Sequence, residues 1–127
     1  VRTALSAYDN RVDILVNNAG IWKLVPTEET TEEEWDRIVN VNMKGTFLCC
    51  RAVIPIMRKQ GKGRIVNISS ETGWQSGMPF NGPYAMSKHA IEAYSDALRL
   101  EVAQFGIKVV LPGTITEEPV ARRVTPV

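Results

Sequence analysis

Gly63-Arg-Ile-Val-Asn-Ile-Ser-Ser70 is the stretch on which the fold turns. Its centre, Arg64 to Ile68, is short and largely apolar, and it does not alternate strictly between apolar and polar residues. A run of that kind describes a parallel strand covered on both faces by other elements. Two more runs share the pattern. Val12-Asp-Ile-Leu-Val16 is stopped by Asn17-Asn18-Ala19-Gly20, and Ile107-Lys-Val-Val-Leu111 is cut off by Pro112-Gly113.

Helical patterns separate the three runs. Val1 to Asn10 reads as the tail of a helix with Leu5 and Tyr8 on one face; it starts mid-pattern, without an initiator methionine. The acidic stretch Glu28 to Glu34 opens a second helix. Thr31 and Glu34 have the spacing of a capping box, and the glutamates suit the positive end of the helix dipole. This helix is predicted to run to about Lys59, carrying Trp35, Ile38, Val39, Asn42, Leu48, Val53 and Met57. Gly45 and Pro55 mark places for a bend or an interruption. Gly61 and Gly63 form the following turn. Glu71 to Gly82 is a polar, glycine-containing loop in which Trp74 and Phe80 look exposed. Pro83 suits the first turn of a third helix, which reaches Phe105 and stops at Gly106. Thr114 to Val127 shows no clear periodicity.

The order helix, strand, helix, strand, helix, strand makes the fold class open α/β: a partial doubly wound parallel sheet in one domain unit spanning 1–127. Ligands in such sheets bind at the carboxyl ends of the strands. Here those ends are Asn17 to Gly20, Ser69-Ser70 and Pro112-Gly113, so the polar and glycine-rich punctuation gathers on one edge.

Composition narrows the function classes. The chain has 127 residues, 44% hydrophobic and 23% charged, which fits one soluble domain or part of one. A net charge of +1, with scattered basic residues, makes no case for nucleic acid. No apolar run approaches the ~20 residues needed to span a bilayer, and no signal peptide is visible. Cys49 and Cys50 are neighbours within a predicted helix and cannot form an ordinary disulfide. Read as two buried thiols, they imply a reducing compartment and a cytoplasmic location. No cysteine pair, HExxH or histidine cluster offers a metal site. Asn67-Ile-Ser69 is a glycosylation sequon, but it lies in a predicted buried strand and is discounted.

Tyr84 and Lys88 carry the chemistry. Residues four apart stack on one helical face. An ammonium beside a phenol favours the phenolate, and a tyrosine that exchanges a proton near neutral pH is an acid/base catalyst. Taken alone, the pair reads equally well as a helix-start aromatic beside a solvated lysine. It stands, however, in a series: Asp13-Ile-Leu-Val-Asn-Asn-Ala-Gly20, Asn40-Val-Asn-Met-Lys-Gly45, Gly63 to Ser70, Tyr84-Ala-Met-Ser-Lys88 and Pro112-Gly113. In this order and at these separations the chain resembles the short-chain dehydrogenase/reductase family, single-domain type, over about residues 12 to 115.

The resemblance implies the second half of a Rossmann-like fold and a catalytic set of Asn42, Ser70, Tyr84 and Lys88. Tyr84 would be the general acid in carbonyl reduction and the base in alcohol oxidation. Lys88 would lower its pKa and bond the nicotinamide ribose of NAD or NADP. Ser70 would hydrogen-bond the substrate oxygen. Asn42 would hold a water linking Lys88 to solvent. Cofactor contacts would come from Asn17, Ala19, Gly20, Tyr84, Lys88, Pro112, Gly113 and Ile115. Simpler roles stay open. Ser70 could satisfy a loop amide, and for Ser69 that is the better reading. Asn42 could bond backbone at a bend, and Asn17 could tie neighbouring strands. His89 is expected to face outward, without a catalytic role.

The pattern departs from the family in three places. The opening strand and its glycine-rich turn are absent, and Gly61-Lys-Gly63 precedes a strand instead of following one. Gly106 and Pro112 are six positions apart, about two fewer than the family pattern. That shortens reach by roughly 6–7 Å and retracts the loop Pro112 to Thr116. The closing strand and helices are also missing, so the chain is expected to be truncated, with roughly a hundred residues before Val1. The chain is therefore read as an oxidoreductase acting on a small alcohol or carbonyl, from a homo-oligomeric parent. The alternative is a non-catalytic remnant working through oligomer or partner contacts. Trp22, Trp74, Met78 and Phe80 could wall an apolar pocket for a lipophilic substrate.

Overall fold

The computed structural model describes residues 1–73 and 78–112. Three strands, β1 (Ile14–Asn17), β2 (Gly63–Asn67) and β3 (Ile107–Val110), form one parallel sheet in the order β1-β2-β3. Leu15 pairs with Ile65 and Ile65 with Val109, while Asn17 pairs with Asn67. Parallel pairing in this register brings all three carboxyl ends to one edge, as the sequence implied.

The helices are α1 (Arg2–Ala7), α2 (Glu32–Val39), α3 (Gly45–Gln60) and α4 (Gly82–Val102). Helix α1 is short, and Tyr8, expected on its apolar face, is exposed beyond its end. The capping box at α2 is formed. Thr31 Oγ1 accepts from the Glu34 amide at 3.2 Å, and Glu34 Oε2 accepts from the Thr31 amide at 3.3 Å. Gly61 and Gly106 close their helical segments in the left-handed conformation, with φ of 67° and 72°. Between α4 and Gly106, Ala103–Phe105 tightens into a 3-10 turn.

The long helix expected from Thr31 to Lys59 is interrupted, though not at Pro55, which stays inside α3. The interruption is a π-turn over Asn40–Lys44, ending at Gly45. Gly63, read as part of a turn, is the first residue of β2. It lies so close to Met57 that a Cβ there would fall 2.4 Å from the methionine sulfur.

The core lies between one sheet face and the pair α3 and α4. Cys50, Val53 and Met57 meet Ile65, Leu98, Val102, Ile107 and Val109. A helix turns about 100° per residue, so Cys50 points at the sheet and its neighbour Cys49 points away. Cys49 is exposed, which corrects the expectation of two buried thiols. Asn67 is fully buried, so the sequon is sealed inside the fold. On the opposite sheet face Ile14, Val16 and Val110 are exposed. Among the described residues helices cover one face of the sheet, where the sequence pattern implied two.

The two left-handed glycines give a paired expectation. A Cβ on Gly61 would meet nothing within 4 Å, whereas a Cβ on Gly106 would meet the Gly61 carbonyl oxygen at 2.3 Å. Gly61→Ala should cost about 1 kcal/mol for the backbone conformation alone. Gly106→Ala adds a clash with rigid backbone and should cost about 3 kcal/mol. Urea denaturation of the two variants measures the difference; equal losses would contradict the packing of these two turns.

Candidate active site

Segments leaving the sheet at its carboxyl edge meet the π-turn and the start of α4. Asn18, Ala19 and Gly20 follow β1 and are exposed. Ile68 to Ser70 follow β2. Pro83 stands in the first turn of α4, and the turns that open this helix carry Tyr84, Ser87 and Lys88.

Lys88 is buried, and its Nζ donates to the Ile68 carbonyl at 2.9 Å. The same ammonium lies 5.6 Å from the centre of the Tyr84 ring. Helical spacing thus does what the motif implied: cation and phenol share one face. Burial penalises the charged form and moves the Lys88 pKa below its ordinary value.

Asn42 is 2% exposed. Its Oδ1 accepts from the Ile21 amide at 2.8 Å, and its Nδ2 donates to the Ile21 carbonyl at 2.9 Å. The second Nδ2 proton goes to Ser87 Oγ at 2.9 Å. The side chain therefore bonds backbone, the simpler of its two sequence readings, and both its N–H groups are occupied within the protein. A π-turn inserts an extra residue into the helical circuit; here that turn carries Asn42 into the interior beside Ile21. A Cβ built on Gly20 would lie 3.6 Å from both Asn42 Oδ1 and Lys88 Nζ. Gly20 thus leaves a small cradle directly over these two polar atoms.

Asn17 acts as a strand tie. Its Nδ2 donates to Asn67 Oδ1 at 2.8 Å, and Asn67 Nδ2 donates to Ser95 Oγ at 2.9 Å. Its side chain points at the neighbouring strand and helix, away from the cradle. Ser70 Oγ accepts from Thr72 Oγ1 at 3.1 Å, which leaves the Ser70 proton to donate. Ser69 departs from its expected loop-amide bond: its buried hydroxyl has no partner among the described residues. The loop amide of Gly73 instead donates to the Ser70 carbonyl at 2.8 Å. His89 is exposed, as expected, with Nδ1 3.0 Å from the Ala85 carbonyl oxygen. Pro112 is exposed beyond β3, while Gly113, Ile115 and Trp74 lie outside the described residues.

Trp22, Met78 and Phe80 are all more than half exposed, and the Val25 amide donates to the Phe80 carbonyl at 2.8 Å. That bond joins the loop after β1 to the segment before α4. An open apolar hollow of about 320 Å³ is lined by Val39, Met43, Phe47, Ile91 and Tyr94, and none of Asn42, Ser70, Tyr84 and Lys88 lines it. Ser87 is the site residue that a reading of the sequence misses. Its place in Tyr84-Ala-Met-Ser-Lys88 is visible there, but its partners are not.

The model of the short chain dehydrogenase family matches residues 1–124. The chain is 47% identical over 111 residues to cyclopentanol dehydrogenase of Comamonas testosteroni, covering 86% of this chain and 44% of that protein. It is 40% identical over 114 residues to D-beta-hydroxybutyrate dehydrogenase of Rhizobium meliloti, covering 88% and 44%. Among solved structures it is similar to gluconate 5-dehydrogenase of Burkholderia cenocepacia in complex with NADP and tartrate. That match has a TM-score of 0.79 and 32% identity, and covers 87% of this chain and 44% of the other. The chain spans less than half the length of these relatives. Among the described residues no helix is long and apolar enough to cross a membrane.

The buried lysine has a consequence for stability. Its folded pKa lies below the ordinary 10.5, so between those two values the unfolded chain binds more protons than the native one. Stability contributed by this group therefore rises with pH across that window and is flat below it. Lys88→Met removes the rise. Denaturation of wild type and variant, stepped from neutral pH toward 10.5, should show the wild type gaining on the variant; a constant difference would mean that Lys88 is solvated.

Proposed function

The chain belongs to the short-chain dehydrogenase family, and from that premise we propose that its parent protein interconverts a secondary alcohol and a carbonyl using NAD or NADP. Residues 1–127 would form part of its single dinucleotide-binding domain. The observation that carries this is the joint placement of Tyr84, Lys88 and Gly20 at the carboxyl edge of the sheet. The Gly20 cradle admits a ligand close to the main chain. Lys88 has ammonium protons beyond the one given to Ile68. These two features fit a ribose hydroxyl held by Lys88, with Ala19 and Gly20 giving close approach. Pro112, Gly113 and Ile115 would border the same cofactor. A bound nicotinamide supplies the hydride chemistry.

The chain's own residues handle the proton. In reduction the Tyr84 hydroxyl gives its proton to the substrate oxygen; in oxidation the phenolate takes the alcohol proton. Lys88, whose ammonium lies 5.6 Å from the centre of the Tyr84 ring, places a positive charge beside the phenol that exchanges the proton. Ser70 donates to the substrate oxygen and stabilises the charge that develops there. Asn42 has both N–H groups engaged with protein, so any water linking Lys88 outward would use its oxygens. Trp22, Met78 and Phe80 border the edge with exposed apolar surface, which favours an apolar substrate body. The whole protein would act as a homo-oligomer.

A second reading is favoured by the exposed sheet face bearing Ile14, Val16 and Val110. A chain with that surface would act through partner contacts and have no turnover. Quenching of NADH fluorescence by the chain separates the two. Binding supports the enzyme; absence of binding together with concentration-dependent assembly supports the partner reading.

Two substitutions test the chemistry in the whole protein. Tyr84→Phe should lower kcat by about 10²–10⁴ while cofactor affinity holds. Ser70→Ala should lower it by about 10²–10³ with little change in the acid limb of the pH profile. Turnover of Tyr84→Phe at the wild-type rate would overturn the assigned acid/base.

A further inference from the structure

We infer that Ser87 is a positioning residue, the hydrogen-bonded coupling between the loop after β1 and the tyrosine-bearing turn of α4. The inference rests on the oxidoreductase reading for its catalytic consequence and on geometry for the coupling itself.

Ser87 is fully buried. Its hydroxyl accepts from Asn42 Nδ2 at 2.9 Å and donates to the Tyr84 carbonyl at 2.7 Å. Asn42 in turn clamps both backbone groups of Ile21. The path Ile21–Asn42–Ser87–Tyr84 therefore joins three separate segments through direct hydrogen bonds. A hydroxyl suits this place because it accepts one bond and donates another from a single atom. Alanine would leave an Asn42 N–H buried without its partner, so the amide could rotate and release Ile21. Valine or leucine would overfill a site with no exposed surface. Ser87 does not reach the reacting atoms; it sets where Tyr84 stands relative to Gly20 and Ile21.

Ser95 supplies a matched control. It lies two turns further along α4, is equally buried, and accepts an equivalent bond from Asn67. A merely structural loss would look the same at both positions. In the whole protein, Ser87→Ala should lower kcat about tenfold and raise the cofactor KM several-fold, because releasing Ile21 also loosens the Gly20 approach. Hydrogen exchange of the Ile21 amide should quicken about tenfold. Ser95→Ala should lower the melting temperature comparably and move neither kcat nor Ile21 exchange. Equal kcat and equal Ile21 exchange in the two variants overturn the inference. If Ser87→Ala does not fold, Ser87→Cys decides: its thiol is nearly as small but a weaker donor and acceptor. It should show intermediate losses, and wild-type values for both readouts overturn the inference. A wild-type protein without turnover overturns the oxidoreductase reading instead, and Ile21 exchange then decides the coupling by itself.

Discussion

A primary amide bonded to both backbone groups of one residue is a rigid link, because rotating it breaks two hydrogen bonds at once. Asn42 makes that link to Ile21. It holds the segment leaving β1 against the helical layer and fixes how far Gly20 stands from Lys88. Without the clamp, Asn18 to Gly20 would be exposed chain with no defined height over the site. The π-turn at Asn40–Lys44 belongs to the same constraint. It adds a residue to the helical circuit where the asparagine must enter the interior, in place of regular α-helical hydrogen bonding.

The buried polar groups Asn42, Asn67, Ser87 and Ser95 are tolerated because they are paired, unlike the Ser69 hydroxyl. Asn17, Asn67 and Ser95 form a chain from β1 through β2 to α4. Asn42, Ser87 and the Tyr84 carbonyl form a second chain nearer the edge. Each satisfied buried bond contributes about 1 kcal/mol, whereas leaving one partner orphaned costs about 1–3 kcal/mol. The greater effect of such networks is geometric: an apolar core tolerates sliding, but a bond accepted from one segment and donated to another does not. The lower chain fixes strand against strand and helix; the upper one fixes the loop against the tyrosine-bearing turn of α4.

Apolar packing and the polar chains divide the labour along α3 and α4. Cys50, Val53 and Met57 on one helix and Leu98 and Val102 on the other press the layer onto Ile65, Ile107 and Val109. Where β2 ends, the buried position passes from Ile65 to Asn67, and polar contacts take over from apolar ones. Beyond that point the site opens. Lys88 sits at the transition, with enough burial to disfavour its charge and enough access to face Tyr84.

Much of this was legible from sequence. The alternation of strands and helices, the capping box at Thr31, the glycine stops at Gly61 and Gly106, and the shared face of Tyr84 and Lys88 all followed from residues close together in the chain. Such effects act locally, so a linear pattern determines them. Asn17 was left between two roles, a cofactor contact and a strand tie, and only its bond to Asn67 in the folded chain shows the tie. Tertiary structure alone decided which of Cys49 and Cys50 entered the core, that the Ser69 hydroxyl would stand apart from the loop amides, and that, of the two bends offered, the helix yields beside Gly45, over Asn40–Lys44, and not at Pro55. It alone brought Ser87 between Asn42 and Tyr84. Those outcomes join residues 21 and 45 positions apart, and at that range the packing of sheet against helix, not any local preference, selects which groups meet.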